Sequence, residues 1–310
     1  MYNNIIRREK VIKNNPRKSI HGQWSSKLIF IFAATGSAVG LGNIWKFPWM
    51  TGENGGGAFV LIYIVSVLII ALPIMMAEVF IGRHGKQNPV ASLKYLANES
   101  SSFNFIEVDK SLNRVRSKRQ SYSNYDDYSN WQIVGWAGIT AGILILSFYS
   151  VIAGWTISYI FKSATGVFSA ISLEKSQRLF NDFISDPEKL LAWHTMFMIF
   201  TCYIVAQGVK GGLEKAVKFF IPSLFFLLIC LAIYSMTLPG FYDGISYMFI
   251  PDIAKIDSNV ILSAMGMAFF SLSIGMGSLM IYGSYLSDKS SITEVTAIVA
   301  FADTFVAILA

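Results

Sequence analysis

Seven apolar segments, each near the ~20 residues that a bilayer core requires, leave this chain few folds to choose from. They run roughly over 28–50, 57–81, 133–161, 190–207, 216–238, 260–282 and 294–310. Within lipid every backbone N–H and C=O must find a partner inside the protein, so segments of this length become helices. Composition agrees. Of 310 residues 54% are hydrophobic and 14% charged, and the mean hydropathy of +0.50 lies outside the range of soluble globular chains. The expected fold is an all-α polytopic membrane protein.

Charge sets the expected orientation. Lysines and arginines crowd the tail 1–27, the connection after the second segment, and Lys210, Lys215, Lys218 and Lys289. The other side holds only Lys162, Lys175, Arg178, Lys189 and Lys255. That asymmetry puts the N-terminus in the cytoplasm and makes the net charge of +6 a topology signal that needs no nucleic-acid partner. The tail lacks an apolar core followed by a cleavage site, so it reads as a cytoplasmic tail rather than a signal peptide. Cys202 and Cys230 lie in apolar runs, which argues against a disulfide or a metal site. The connection 98–130 is polar, rich in Ser, Asn and Tyr, and basic around Arg114–Arg119. It reads as a solvated cytoplasmic loop insertion, or as a contact for lipid headgroups. The outer loop 162–189 has the spacing of a short surface helix.

Inside the first segment stands GSAVGLGNIWKFP, residues 36–48. A helix that only had to span would not gather Gly36, Gly40 and Gly42, which weaken it and expose its backbone. Freed backbone groups are tolerated at that depth only where protein or a wet cavity satisfies them. The segment is therefore expected to break near mid-membrane and face a ligand. Its carbonyls suit a monovalent cation, and the amides of the following half-helix suit a carboxylate. Close packing of a small-xxx-small face, Gly36 to Gly40, is the plainer alternative, but it leaves Asn43 and Lys46 unexplained.

Other polar groups lie at membrane depth. Glu78 sits inside the second segment and reads as a buttress for the broken first segment rather than a proton relay. The sixth reads AMGMAFFSLSIGMGSLMIYGSY, with Ser271 and Ser273 followed by Gly275 and Gly277. Two interrupted segments in corresponding positions are the pattern of a transporter binding site. Tyr149 offers a hydroxyl in mid-segment. Asp303 is the only acidic residue well inside the seventh segment, and a bound cation would stabilise it. An enzyme finds little support. His21, His84 and His194 are scattered, and GLGNIW does not complete a nucleotide-binding GxGxxG.

Together WSSKLIFIFAATGSAVGLGNIWKFPWMTGENGGGAF, LPIMMAEVFIGRHGKQNPV, LSFYSVIAGW and FFSLSIGMGSLMIYGSYL resemble the neurotransmitter:sodium symporter family, bacterial branch. The resemblance runs from Trp24 to the last residue, apart from the 98–130 loop. It implies a leucine-transporter-like inverted-repeat fold with the first and sixth helices broken, about seven helices being present. Residues 28–238 would form the first repeat and 259–310 part of the second. It also implies that the eighth span of the family lies beyond this chain. Sodium-coupled symport of an α-amino acid is then the expected function, with a non-transporting binding or regulatory membrane protein, or an inactive fragment of such a transporter, as the alternative.

By the same resemblance, the substrate carboxylate would meet the amides of Leu41 and Gly42, the Tyr149 hydroxyl and a sodium ion. Its ammonium would meet the Ala38 and Phe270 carbonyls and the region of Ser271 and Ser273. Ile145, Phe148, Phe270 and Met276 would line the side-chain pocket. A first sodium would use Ala38, Asn43, Ser271 and Asp303; a second would find only Gly36 and Val39. Gating or structural roles fall to Lys46, Glu78, His21, Trp24 and Tyr285. Lys46 stands where relatives commonly carry Arg, and His21 where they carry an inner-gate Arg. Asp303 replaces a common Asn, a fixed charge that would remove the need for chloride. Gly40, where monoamine carriers have an aspartate, favours a substrate with its own carboxylate, apolar or aromatic in its side chain.

Overall fold

The computed structural model describes residues 24–101, 106–109, 114–117 and 130–310. His21 and the tail before Trp24 lie outside the described residues, as does much of the 98–130 loop.

The apolar segments become helices as their length requires. The first is a bent pair, α1 (Lys27–Ala38) and α2 (Gly42–Glu53), turned by 49° at the break. Ser26 caps α1 by accepting from the Ile29 N–H, and α2 opens with a wide π-type turn over Gly42–Lys46. Next come α3 (Gly57–Gly85) and α4 (Pro89–Ser101). Two antiparallel strands come after α4, β1 (Ile106–Asp109) and β2 (Arg114–Ser117), with Glu107 opposite Arg116 and Asp109 opposite Arg114 in register. The polar composition of this loop concealed the strand pair, which lies outside the helical membrane fold. The long α5 (Gln132–Ala164) leads to α6 (Leu173–Ile184), the surface helix expected of the outer loop. Then come α7 (Pro187–Ala206), α8 (Val209–Ser235) and α9 (Phe241–Phe249). The sixth segment is split into α10 (Ser258–Ser271) and α11 (Ser278–Ser284), and α12 (Ile292–Leu309) ends the chain.

Among the described residues, five helices are long and apolar enough to cross a membrane, or six if the bent pair is one span. The remaining expected span is the sixth, the α10–α11 pair, each half of which is too short to cross alone.

The core belongs to α1, α2, α3, α10, α11 and α12. Phe30, Phe47, Phe59, Tyr63, Met75, Met267, Leu279 and Val295 from these six helices are all buried. By contrast α7 has no buried residue, and it meets α5 where Gly154 lies against the backbone of Trp193 and His194. The tightest seam joins α3 to α11. A Cβ on Gly82 would strike the Met280 carbonyl, and one on Gly283 would strike the Val79 carbonyl. Backbones approach this closely only at glycine, and the seam fixes α11 to the C-terminal half of α3.

Candidate functional site

The two broken helices face each other. In the first, helical bonding stops at Val39, whose ψ of 115° is extended. The Asn43 side chain crosses the gap and accepts from the Gly40 N–H at 3.3 Å. In the second, Ser273, Gly275 and Gly277 all have positive φ, at 54°, 86° and 73°. Glycine takes that conformation freely, but a serine there is strained. Ser273 is held by its hydroxyl, which donates to the Ser37 carbonyl at 2.9 Å. One break is thus pinned directly to the other.

Glu78 braces the second break. It accepts from the Gly275 N–H at 2.7 Å, so the expected buttress supports the sixth segment and not the first. The reason is packing: the seam at Gly82 and Gly283 brings α3 alongside α11, and sequence alone does not say which break a glutamate on α3 will meet.

Behind the breaks lies a fully buried polar cluster. Asn43 donates through Nδ2 to Asp303 Oδ1 at 2.9 Å and to the Asp303 carbonyl at 3.0 Å. Ser271 donates to Asp303 Oδ2 at 2.8 Å. Tyr63 lies 3.0 Å from the Ser271 hydroxyl and 3.4 Å from Asp303 Oδ2. Asn43, Tyr63 and Asp303 are 0% exposed and Ser271 is 1% exposed. A buried carboxylate is costly unless paired or hydrogen-bonded. Among the described residues Asp303 has no basic partner within ion-pair distance, and neutral donors alone meet it. Three of the four residues expected at a first sodium site, Asn43, Ser271 and Asp303, are in direct contact. Tyr63 was missed, because a tyrosine in an apolar run reads as an ordinary core or interfacial residue.

A cavity of about 490 Å³ opens beside the breaks, lined in part by Gly36, Ala38, Val39, Gly42, Ile145, Tyr149, Phe270, Ser273 and Met276. These are nine of the expected substrate and ion residues. Toward the other end of α2 is a second cavity of about 420 Å³, lined by Leu41, Trp45, Lys46, Trp49, Phe148, Tyr149, Ile152 and Phe270. Phe148, expected in the side-chain pocket, borders this second cavity instead, and its ring is half exposed. Tyr149 and Phe270 line both, with ring centroids 6.2 Å apart, and divide one cavity from the other. Lys46 rests its ammonium 4.2 Å from the Trp49 ring centroid.

At the far end of α1, the Trp24 N–H and indole Nε1 donate to the carbonyls of Tyr285 and Tyr282, each at 3.2 Å. Both of these tyrosine rings pack against the indole. Glu214 is buried; it accepts from the Ser25 N–H at 3.0 Å and from the Ser25 hydroxyl. Sequence reasoning does not single it out, since Glu214 stands among lysines at a helix entry and reads as part of a solvated face.

Comparison with known proteins gives this geometry its context. The family model described as "Sodium:neurotransmitter symporter family" matches residues 21–108 and 174–310. The chain is 35% identical over 288 residues to the uncharacterized sodium-dependent transporter YhdH of Bacillus subtilis, covering 93% of this chain and 57% of that protein. It is 31% identical to an uncharacterized sodium-dependent transporter of Haemophilus influenzae, covering 93% and 59%. Among solved structures, that of MhsT in complex with L-phenylalanine superposes with a TM-score of 0.78 at 42% identity, over 93% of this chain and 59% of MhsT. The chain thus spans between half and two thirds of the length of these relatives. With the family match over well more than half its residues, the chain belongs to the sodium:neurotransmitter symporter family.

Proposed function

We propose that the protein carries out sodium-coupled symport of an α-amino acid, apolar or aromatic in its side chain, by alternating access across a prokaryotic plasma membrane with its N-terminus in the cytoplasm. The observation that carries this reading is the buried Asp303, reached by Asn43 from the first break and Ser271 from the second. An oxygen-rich pocket around a carboxylate without a cationic partner suits a small hard cation. Sodium would take the Asn43, Ser271 and Asp303 oxygens with the Ala38 carbonyl, and a second sodium would draw on the Gly36 and Val39 carbonyls. The neighbouring cavity supports the substrate assignment. Its Gly42 N–H and the Tyr149 hydroxyl, both on the cavity wall, would hold a carboxylate at the positive end of α2. Ile145, Phe270 and Met276 would receive the side chain, and the L-phenylalanine bound by MhsT favours an aromatic one. Residues 28–238 and 259–310 would belong to the two repeats of the family fold.

Uptake of radiolabelled phenylalanine into proteoliposomes, with and without a sodium gradient, tests this. Gradient-dependent accumulation is expected, and equal uptake in both conditions contradicts it. The fixed charge of Asp303 makes chloride unnecessary, so activity in chloride-free buffer should match that in chloride. Asp303→Asn should then become chloride-responsive, and an active variant indifferent to chloride would sink that part of the reading.

A further inference from the structure

Lys86 is the residue at the cytoplasmic end of α3 that an ordinary helix stop does not explain. It ends the helix in the left-handed conformation, with φ 55° and ψ 25°, and its N–H donates to the Gly82 carbonyl. That position is the one at which helices commonly carry glycine, because a Cβ is strained there. Nor does the side chain escape to water: Lys86 is 5% exposed. Its Nζ donates to the Leu286 carbonyl at 3.1 Å and to Asp288 Oδ1 at 3.0 Å. Three residues earlier, Arg83 donates to the Ser290 carbonyl at 2.6 Å. Strain at a non-glycine residue persists only where the surroundings hold it, and a buried ammonium persists only where it is paired. Both costs are met at one site whose product is a bond between α3 and the α11–α12 connection.

That connection matters because of its neighbour. Leu286 adjoins Tyr285, whose carbonyl receives the Trp24 N–H, and Tyr282 one turn earlier receives the Trp24 indole. We propose that Lys86 is a positioning residue: it fixes the seat, at Tyr282 and Tyr285, on which Trp24 closes the cytoplasmic end of α1. The seam at Gly82 and Gly283 holds the body of α11, but α11 ends at Ser284; beyond it the N–H groups of Tyr285 and Leu286 bond back to Tyr282 and Gly283, and only side chains, Lys86 and Arg83, tie the connection to α3. Lys86 extends the rigid α3–α11 unit through the seat itself, so that α1 moves against a fixed surface. The consequence for transport rests on the symport reading; the contact does not.

Hydrogen exchange measured by mass spectrometry on the protein in lipid nanodiscs, without sodium or substrate, reads the contact directly. Two variants separate position from fold. Lys86→Gly relieves the backbone and removes the tether, and Lys86→Met keeps the apolar stem and removes the charge. Both should speed exchange across 24–30 and 286–290 by about five- to tenfold, as the loss of a charge-assisted bond implies. Exchange around Gly275, held separately by Glu78, should not change, and Lys86→Gly should unfold no earlier on heating than the parent protein. Unchanged exchange at 24–30 in both variants would overturn the proposal. So would a rise throughout the chain with early unfolding of both, which would make Lys86 a support of the fold alone.

Discussion

The two helix breaks do the same thing to the backbone by different means. The first, at Val39 and Gly40, is short, carries no positive φ, and is spanned by one side chain, Asn43. The second runs from Leu272 to Gly277, passes through three positive φ values, and is held from outside by Glu78 and by Ser273 on Ser37. The second break sends Ser271 to Asp303 and shares the cavity wall, but spends its Gly275 N–H and Ser273 hydroxyl on bracing, while the first leaves more of its groups turned toward Asp303 and the cavity. We read the first as the ligand-facing half and the second as its scaffold.

Substitutions can break this contrast. The largest effect is expected at Asp303→Ala, which strands the buried donors of Asn43, Ser271 and Tyr63. Sodium-dependent binding should weaken by roughly 100-fold or more, about 3 kcal/mol, read by titrating sodium against bound phenylalanine. A variant that keeps the parent sodium dependence would remove Asp303 from the ion site. Next comes Glu78→Ala, which leaves the Gly275 N–H unpaired and should cost about 1–3 kcal/mol of stability. If the second break is scaffold, thermal unfolding moves down while the sodium affinity of the surviving protein stays within about threefold, roughly 0.7 kcal/mol. A selective loss of sodium affinity with unchanged unfolding would reverse the roles of the two breaks.

Both breaks were legible in sequence, and for a physical reason: glycine clusters and polar side chains are expensive inside lipid, so they stand out against an apolar run. Asn43, Ser271 and Asp303 were legible on the same ground, and in the structure they touch. What was not legible depended on which helix lies beside which. Glu78 reads in sequence as bracing the wrong break because its partner is fixed by a glycine seam between α3 and α11, two helices far apart in the chain. Tyr63 and Glu214 do not stand out since neither is unusual in its local sequence; burial against a distant element makes them matter. The strands 106–109 and 114–117 lay hidden in a composition that reads as loop.

The smallest effect is expected at Ser273→Gly. The glycine relieves a strained φ of 54° but loses the hydroxyl bond to Ser37, terms of about 1 kcal/mol each with opposite sign. Stability should change by less than about 0.5 kcal/mol, while hydrogen exchange at 36–40 should rise, since the pin between the breaks is gone. No rise there would mean that packing and the Asp303 cluster hold the breaks together without the Ser273 pin.

If the two breaks meet around a sodium ion beside an amino-acid cavity, as proposed, amino-acid binding depends on sodium. Equilibrium binding of radiolabelled phenylalanine to the purified protein, in sodium against potassium at equal ionic strength, tests it most directly. Saturable binding in sodium that falls to background in potassium is expected, and binding of equal strength in the two salts would contradict a sodium ion at the breaks.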